Sequence, residues 1–292
     1  MKLVSFETAG PERAGLVMDG RVLDLAALTD GVLNLPLDVL IEQPDLMERA
    51  GEIARSAGDD PTILERHGIP LEDASLTAPV TRPGKIICLG LNYRDHAAES
   101  GMDIPSEPVV FAKLPTAVIG PGDPIVVPEA SDRIDYEVEL ALVIGALAKG
   151  VSAADAMDCV AGFTILNDVT ARDYQREKPG GQWTLAKSFD TFCPLGPWLV
   201  TPDEVGDPHS LSLECRVNGE VLQSSSTDQM IFTVPEIIEY ISRVVTLEPG
   251  DVIGTGTPPG VGFARTPPRF LKSGDVVECT IERIGTLRNP VE

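Results

Sequence analysis

No apolar run in this chain of 292 residues approaches the roughly 20 residues that a membrane-spanning helix needs. The opening stretch, MKLVSFETAGPERAG, also lacks the apolar core of a secretory leader, so a cytoplasmic protein is expected. Histidine is scarce: only His67, His96 and His209 occur, and no H-E-x-x-H is formed. The five cysteines, Cys88, Cys159, Cys193, Cys215 and Cys279, are widely spaced and make no C-x-x-C pair. That excludes a zinc knuckle and a disulfide framework, and leaves reduced, mostly buried thiols. Basic residues are outnumbered, 23 against 45 acidic, for a net charge of −22. Such a surface repels phosphate backbones, so nucleic acid is not an expected partner. A small anionic ligand would need a local cation.

What remains is of ordinary globular composition, 43% apolar and 23% charged, and long enough for one or two domains. The expected division is a small N-terminal α/β module over 1–75 and a β-rich part over 76–292. In the first, apolar segments 16–18 and 22–25 flank Asp19-Gly20, a type I′ hairpin signal. Segment 45–57 has helical spacing and follows Pro44. Residues 58–84, broken by Pro61, Pro70, Pro79 and Pro83, read as a linker, with His67 an ordinary surface residue. Beyond them, strands are expected over 85–91, 109–112, 125–127, 137–144, 161–166, 211–217, 252–255 and 276–281. Asn218-Gly219 marks another hairpin. Helices are expected over 153–160, after Ser152, and over 235–245. Many strands with few helices make a β-rich α+β fold.

The stretch DYEVELALVI holds the most chemistry. On a strand Glu137 and Glu139 share one face, while Val138, Leu140 and Leu142 take the other. Like charges on one face repel, more so among apolar neighbours, and a divalent cation removes the conflict. A solvated acidic face is the alternative. In AGFTILNDVTARD an apolar strand ends at Asp168, which is either a ligand or the N-cap of a following helix. Were the three to converge, oxygen ligands with open positions would suit one Mg²⁺ or Mn²⁺.

Three further features carry polar groups. His96 and Glu99, three apart, would meet on a helix face as a general-base pair or as a plain surface pair. Lys187, in TLAKSF, could hold a substrate carboxylate or a developing oxyanion, or lie with its stem packed and its ammonium in water. Arg172 and Gln175 follow Asp168 in a helix-like segment. The loop GTGTPPGVG, with Thr257, offers amides and hydroxyls for a carboxylate, or is a tight structural loop; it lacks the G-K-[ST] ending of a phosphate loop.

Taken in order, GLNYRDHAAES, SEPVVFAK, DYEVELALVIG, NDVTARDYQ, TLAKSFDTFCPLGPWLVT, VNGEVLQ and GDVIGTGTPPGVG resemble the fumarylacetoacetate hydrolase family, from about residue 85 to the C-terminus. The resemblance is to the branch of acylpyruvases, oxaloacetate decarboxylases and diketo-sugar-acid hydrolases. It implies a mixed β-roll, usually a homodimer. Glu137, Glu139 and Asp168 would be the ligands of a Mg²⁺ or Mn²⁺ ion, one per subunit. His96 and Glu99 would form the water-activating dyad, on a lid segment that orders over substrate. Lys187 would stabilise an enolate or orient the substrate, Gln175 and Thr257 would contact substrate, and Arg172 matches a recurrent family position.

The chemistry so implied is cleavage of a C–C bond in a small 2,4-diketo acid, giving pyruvate and a carboxylate. The same site could decarboxylate an oxaloacetate-type acid, or isomerise a 2-hydroxyhepta-2,4-diene-1,7-dioate-type acid. A metal- or carboxylate-binding module without catalysis is the reading from another class.

Overall fold

All seven residues of the segment VELALVI are buried, and the strand they form, Val138–Ile144, sets the middle of the molecule. The structure is a computed structural model and describes residues 1–7 and 10–292. Alternate residues of this strand serve two different cores. Val138, Leu140, Leu142 and Ile144 face one apolar cluster, and Ala141 and Val143 face another. Glu139 stands in the second series, so the strand's geometry carries its carboxyl into the interior.

The strand pairs antiparallel with Val160–Asn167 on one side and Val252–Gly254 on the other. Among the described residues this ladder belongs to a sheet of twelve strands. In spatial order its main path runs Gly68–Pro70, Arg21–Asp24, Arg13–Met18, Lys2–Glu7, Cys193–Val200, Val160–Asn167, Val138–Ile144, Val252–Gly254, Ile86–Gly90 and Val109–Lys113. Val252–Gly254 runs parallel to Ile86–Gly90, which makes the sheet mixed. A second, antiparallel sheet holds Glu220–Ser226, Ser212–Val217, Val276–Ile281 and Gly285–Pro290. The fold is thus α+β and β-rich, as the sequence led us to expect.

Local signals account for most elements. Asp19 and Gly20 both take positive φ (45° and 73°), as do Asn218 and Gly219 (54° and 81°), which suits the two tight hairpins. Helix Pro44–Asp59 begins at its proline. Helix Val234–Val244 has a capping box between Thr233 and Glu236 and buries Val234, Ile237, Ile238 and Ile241. Its first amide also donates to His209 Nε2 at 3.0 Å. His67 is exposed at the end of helix Pro61–His67, as expected.

Three expectations need correction. Residues 58–84 are not a bare linker, because they contain that helix and the strands Gly68–Pro70 and Ser75–Thr77. Asp60 caps the Thr62 amide and Pro61 opens the helix, so the prolines start structure here instead of breaking it. Over 153–160 the structure holds only the 3₁₀ turn Ala156–Cys159. Ser152 donates to the Asp155 carboxylate, and Cys159 carbonyl is drawn to the Gly145 amide, starting the next strand. Residues 125–127 make a single bridge, Ile125 to Val291, in place of a strand.

Candidate metal and catalytic centre

The register of the central ladder brings the acidic residues together. Val138 lies opposite Asn167, so the residues just outside that pair, Glu137 and Asp168, become neighbours. The Asp168 amide donates to the Glu137 carbonyl at 2.9 Å, and the Glu137 amide donates to Asn167 Oδ1 at 3.0 Å. One carboxylate oxygen from each of Glu137, Glu139 and Asp168 lies within 4.8 Å of the others. Exposure is 6%, 1% and 0%, which removes the solvated-face reading. The helix that follows, Arg172–Arg176, has Ala171 at its N-cap position, so Asp168 is no helix cap.

Buried carboxylates need partners, and three cations supply them. Lys187 Nζ donates to Glu137 Oε2 (2.9 Å), to Asp168 Oδ2 and to Thr170 Oγ1 (2.9 Å), which engages all three of its N–H groups. The reading of Lys187 with its ammonium in water is therefore excluded. Lys113 Nζ, wholly buried, donates to Asp168 Oδ1 at 2.6 Å. Arg172 donates through Nε to Asp135 Oδ2 (2.7 Å), through Nη1 to Gln175 Oε1 (2.8 Å) and through Nη2 to Glu137 Oε1.

Lys113 and Asp135 escaped the sequence reading. Asp135 stands in the same alternate series as Glu137 and Glu139, so the period that found those two also points to it. Lys113 ends an apolar strand, where a lysine reads as a solvent-facing terminus. Nothing in VVFAK distinguishes the buried case.

The loop after Val252–Gly254 serves these carboxylates. Gly256 amide donates to Glu139 Oε2 (3.1 Å), and Gly262 and Phe263 amides donate to Asp135 (2.6 and 3.0 Å). Gly260 amide donates to Glu99 Oε1 at 3.0 Å. The expected carboxylate-binding amides do bind carboxylates, but those of the chain itself. Thr257 hydroxyl donates to the Val138 carbonyl (2.9 Å) and accepts from Gln223 (2.8 Å), leaving it one lone pair for a ligand.

Charge in the cluster is nearly balanced. Asp135, Glu137, Glu139 and Asp168 face Lys113, Arg172 and Lys187, an excess of one negative charge if all ionise. That excess falls on Glu139. Burial pushes its carboxyl well above the usual range, and Asp168 and Glu137 beside it add to the shift. Burial would raise Glu137 too, but Lys187 and Arg172 outweigh it and hold that carboxyl at about 2. Burial opposes the charge of Lys187, yet Asp168 and Glu137 raise its pKa above the usual lysine value. A dication among three oxygen ligands would ionise Glu139 and reverse the excess to one positive charge, which favours an anionic ligand. The donor set, all hard oxygen, fits Mg²⁺ or Mn²⁺.

His96 and Glu99 lie on the helix Arg94–Ser100, with Nδ1 of the first 3.2 Å from Oε2 of the second. Both line a cavity of about 700 Å³ that Glu137, Glu139, Arg172, Gln175, Lys187 and Thr257 also line. Leu89, Phe111 and Trp183 supply apolar wall. Asp168, behind Lys187 and Lys113, is not part of the lining. All the site residues expected from sequence therefore fall in or directly behind one cavity.

Residues 85–292 match the family model described as the fumarylacetoacetate (FAA) hydrolase C-terminal domain. The chain belongs to the fumarylacetoacetate hydrolase family. Within it, the Xenopus laevis protein named oxaloacetate tautomerase fahd2, mitochondrial, is 47% identical over 295 residues, covering 100% of this chain and 90% of the relative. The crystal structure of 2-hydroxyhepta-2,4-diene-1,7-dioate isomerase from Mycobacterium marinum matches with a TM-score of 0.76 and 38% identity, over 100% of this chain and 98% of that one. Maleylpyruvate hydrolase from Sphingobium sp. SYK-6, solved with manganese(II) and pyruvate, matches with a TM-score of 0.78 and 31% identity, over the same shares. The fold is therefore that of the fumarylacetoacetate hydrolase family. The named location of the frog relative, mitochondrial, differs from the cytoplasmic expectation. No described helix is long and apolar enough to cross a membrane.

Proposed function

We propose that this family member is a Mg²⁺- or Mn²⁺-dependent enzyme that moves a proton on the carbon beside the ketone of small anionic 2-keto acids. Its substrates would be of the oxaloacetate type, interconverted between enol and keto forms. The observation that carries this reading is the His96–Glu99 pair, held within the cavity that Glu137 and Glu139 line. The 47% identity to an oxaloacetate tautomerase over the whole chain supports the choice of reaction.

Glu137, Glu139 and Asp168 would hold the ion. When bound, it would supply Lewis-acid polarisation of the 2-keto and carboxylate oxygens. Glu99 accepts the Nδ1 proton of His96, which leaves Nε2 as the base that takes or returns the carbon-bound proton. Lys187 and Arg172 keep Glu137 ionised and add positive charge where an enolate develops. Gln175, its carbonyl held by Arg172, presents its NH₂ to substrate. Thr257 accepts through its one open lone pair. Phe111 and Trp183, packed edge to face at 5.5 Å, limit water at the cavity wall.

Hydrolytic C–C cleavage of an acylpyruvate-type 2,4-diketo acid is the second reading. The same dyad could deprotonate water, and the likeness to maleylpyruvate hydrolase favours it. Decarboxylation of oxaloacetate would use the same enolate-stabilising charge. A homodimer fits the edge strand Val109–Lys113, where Val109 and Val110 are exposed beside Leu114 and Leu185.

One experiment separates these readings. The enzyme with Mn²⁺ is given freshly dissolved oxaloacetate enol, then acetylpyruvate, with and without EDTA. Fast, EDTA-sensitive loss of enol absorbance without pyruvate supports the tautomerase. Pyruvate with an equivalent of acetate from acetylpyruvate supports the hydrolase, and pyruvate with CO₂ from oxaloacetate the decarboxylase. No turnover of either acid by metal-loaded protein would leave a binding module.

A further inference from the structure

The cations of the cavity are not equally free to meet a ligand. Lys187 has all its N–H groups on the chain's own acceptors, and Arg172 has Nε, Nη1 and Nη2 engaged. Arg176 differs. It ends the helix that Arg172 begins and lines the same cavity, yet its guanidinium makes no ion pair or hydrogen bond with any described residue. Its acidic neighbours are already engaged: Glu177 pairs with Arg133, and Asp173 accepts from Ser131.

Arg176 is exposed but not adrift. Its Cζ lies 4.6 Å from the centre of the Phe263 ring, and Arg172 Cζ lies 4.4 Å from the same centre. The two guanidinium groups are therefore at most about 9 Å apart, the sum of those distances. The main chain of Phe263 is held by its amide, which donates to Asp135. A stacked guanidinium keeps its in-plane N–H fork open and loses little freedom on binding. It is a ready partner for a carboxylate, in a chain whose net charge otherwise repels anions.

We infer that Arg176 anchors the distal carboxylate of the substrate and so selects 2-keto dicarboxylic acids over 2-keto monocarboxylic acids. The inference rests on the enolising reading given above. The 2-keto end faces the acidic triad, and the far carboxylate forms a forked pair with the guanidinium on Phe263. No proton or bond changes hands at Arg176; its part is recognition.

The test compares oxaloacetate with its 4-methyl ester, which keeps the 2-keto carboxylate and removes only the distal charge. Enol loss is followed with Mn²⁺-loaded wild type, Arg176→Gln and Arg176→Lys. Wild type should prefer the free acid by at least about tenfold in kcat/KM, as expected for one charge-assisted fork. Arg176→Gln should bring that ratio to within about threefold, mainly through KM, and Arg176→Lys should keep part of it. Equal losses on both substrates, or an unchanged ratio, would overturn the anchor while leaving the enolising reading intact. Absence of metal-dependent enol loss in wild type with either compound would overturn the enolising reading, and the anchor with it.

Discussion

The Glu99 carboxylate accepts the Gly260 amide at 3.0 Å, tying the short helix Arg94–Ser100 to the loop that also serves Glu139 and Asp135. Gly260 has a φ of +100°, and a Cβ there would sit 2.1 Å from the Leu222 carbonyl oxygen. Gly260→Ala therefore meets both backbone strain, about 1–3 kcal/mol, and a collision with main chain. We expect a lowered Tm and a loss of turnover, with Mn²⁺ still bound. A variant with wild-type Tm and kcat would show that the tie does not matter.

His96→Asn should lower kcat by roughly 10²–10⁴-fold, the usual contribution of a positioned acid–base group. Glu99→Gln should cost less, since it keeps a hydrogen-bond partner for the imidazole. Mn²⁺ affinity, read by calorimetry, should change little in either, because neither residue belongs to the acidic triad. Full activity in His96→Asn would remove the dyad from the mechanism.

Glu139 makes the metal-free protein sensitive to pH. Its folded-state pKa is raised well above 4.5, so the folded chain keeps a proton that the unfolded chain releases at about pH 4.3. Through the window from there to the raised value, stability falls as pH rises. Metal-free wild type should thus lose Tm with rising pH relative to Glu139→Gln, which carries no such proton. Mn²⁺ competes with that proton, so its affinity for wild type should increase over the same window. Parallel Tm-versus-pH curves for the two metal-free proteins would contradict the assignment.

Lys113 balances Asp168 from behind the cavity. Lys113→Met leaves a fully buried carboxylate short of a partner, which costs about 3–5 kcal/mol in comparable buried pairs. A dication would restore positive charge beside Asp168. The Tm gained on adding Mn²⁺ should therefore be larger for Lys113→Met than for wild type. A smaller gain would mean that Lys113 acts only through packing.

Much of this centre could be read from residue order, and the gaps have physical causes. Glu137 and Glu139 stand out because a strand repeats every two residues, and Asp135 obeys the same period. That Asp168 meets them depends on register, Val138 against Asn167, which alternation alone does not set. Lys113 was missed because burial of a strand-end lysine depends on what packs over it. In the fold, the turns at Asp19-Gly20 and Asn218-Gly219 were legible because positive φ restricts residue type. The helix and strands within 58–84 are not legible in its prolines, because proline both opens helices and breaks them, and only tertiary contact decides which.

The strand Lys2–Glu7 hydrogen-bonds to Cys193–Val200, with Leu3 opposite Leu199, and the terminal amine meets Thr201 Oγ1 at 2.6 Å. A truncated protein starting near residue 76 would uncover the Leu199–Val200 end of Cys193–Val200, which lies beside Val160–Asn167, and with it the apolar side chains of Leu195 and Leu199 that cluster with Leu3, Leu16 and Leu23. Raw edges of this kind recruit other chains. The first residues thus act as a seal on the sheet that carries the acidic cluster, and clipping them should be detected as aggregation before it is detected as lost turnover.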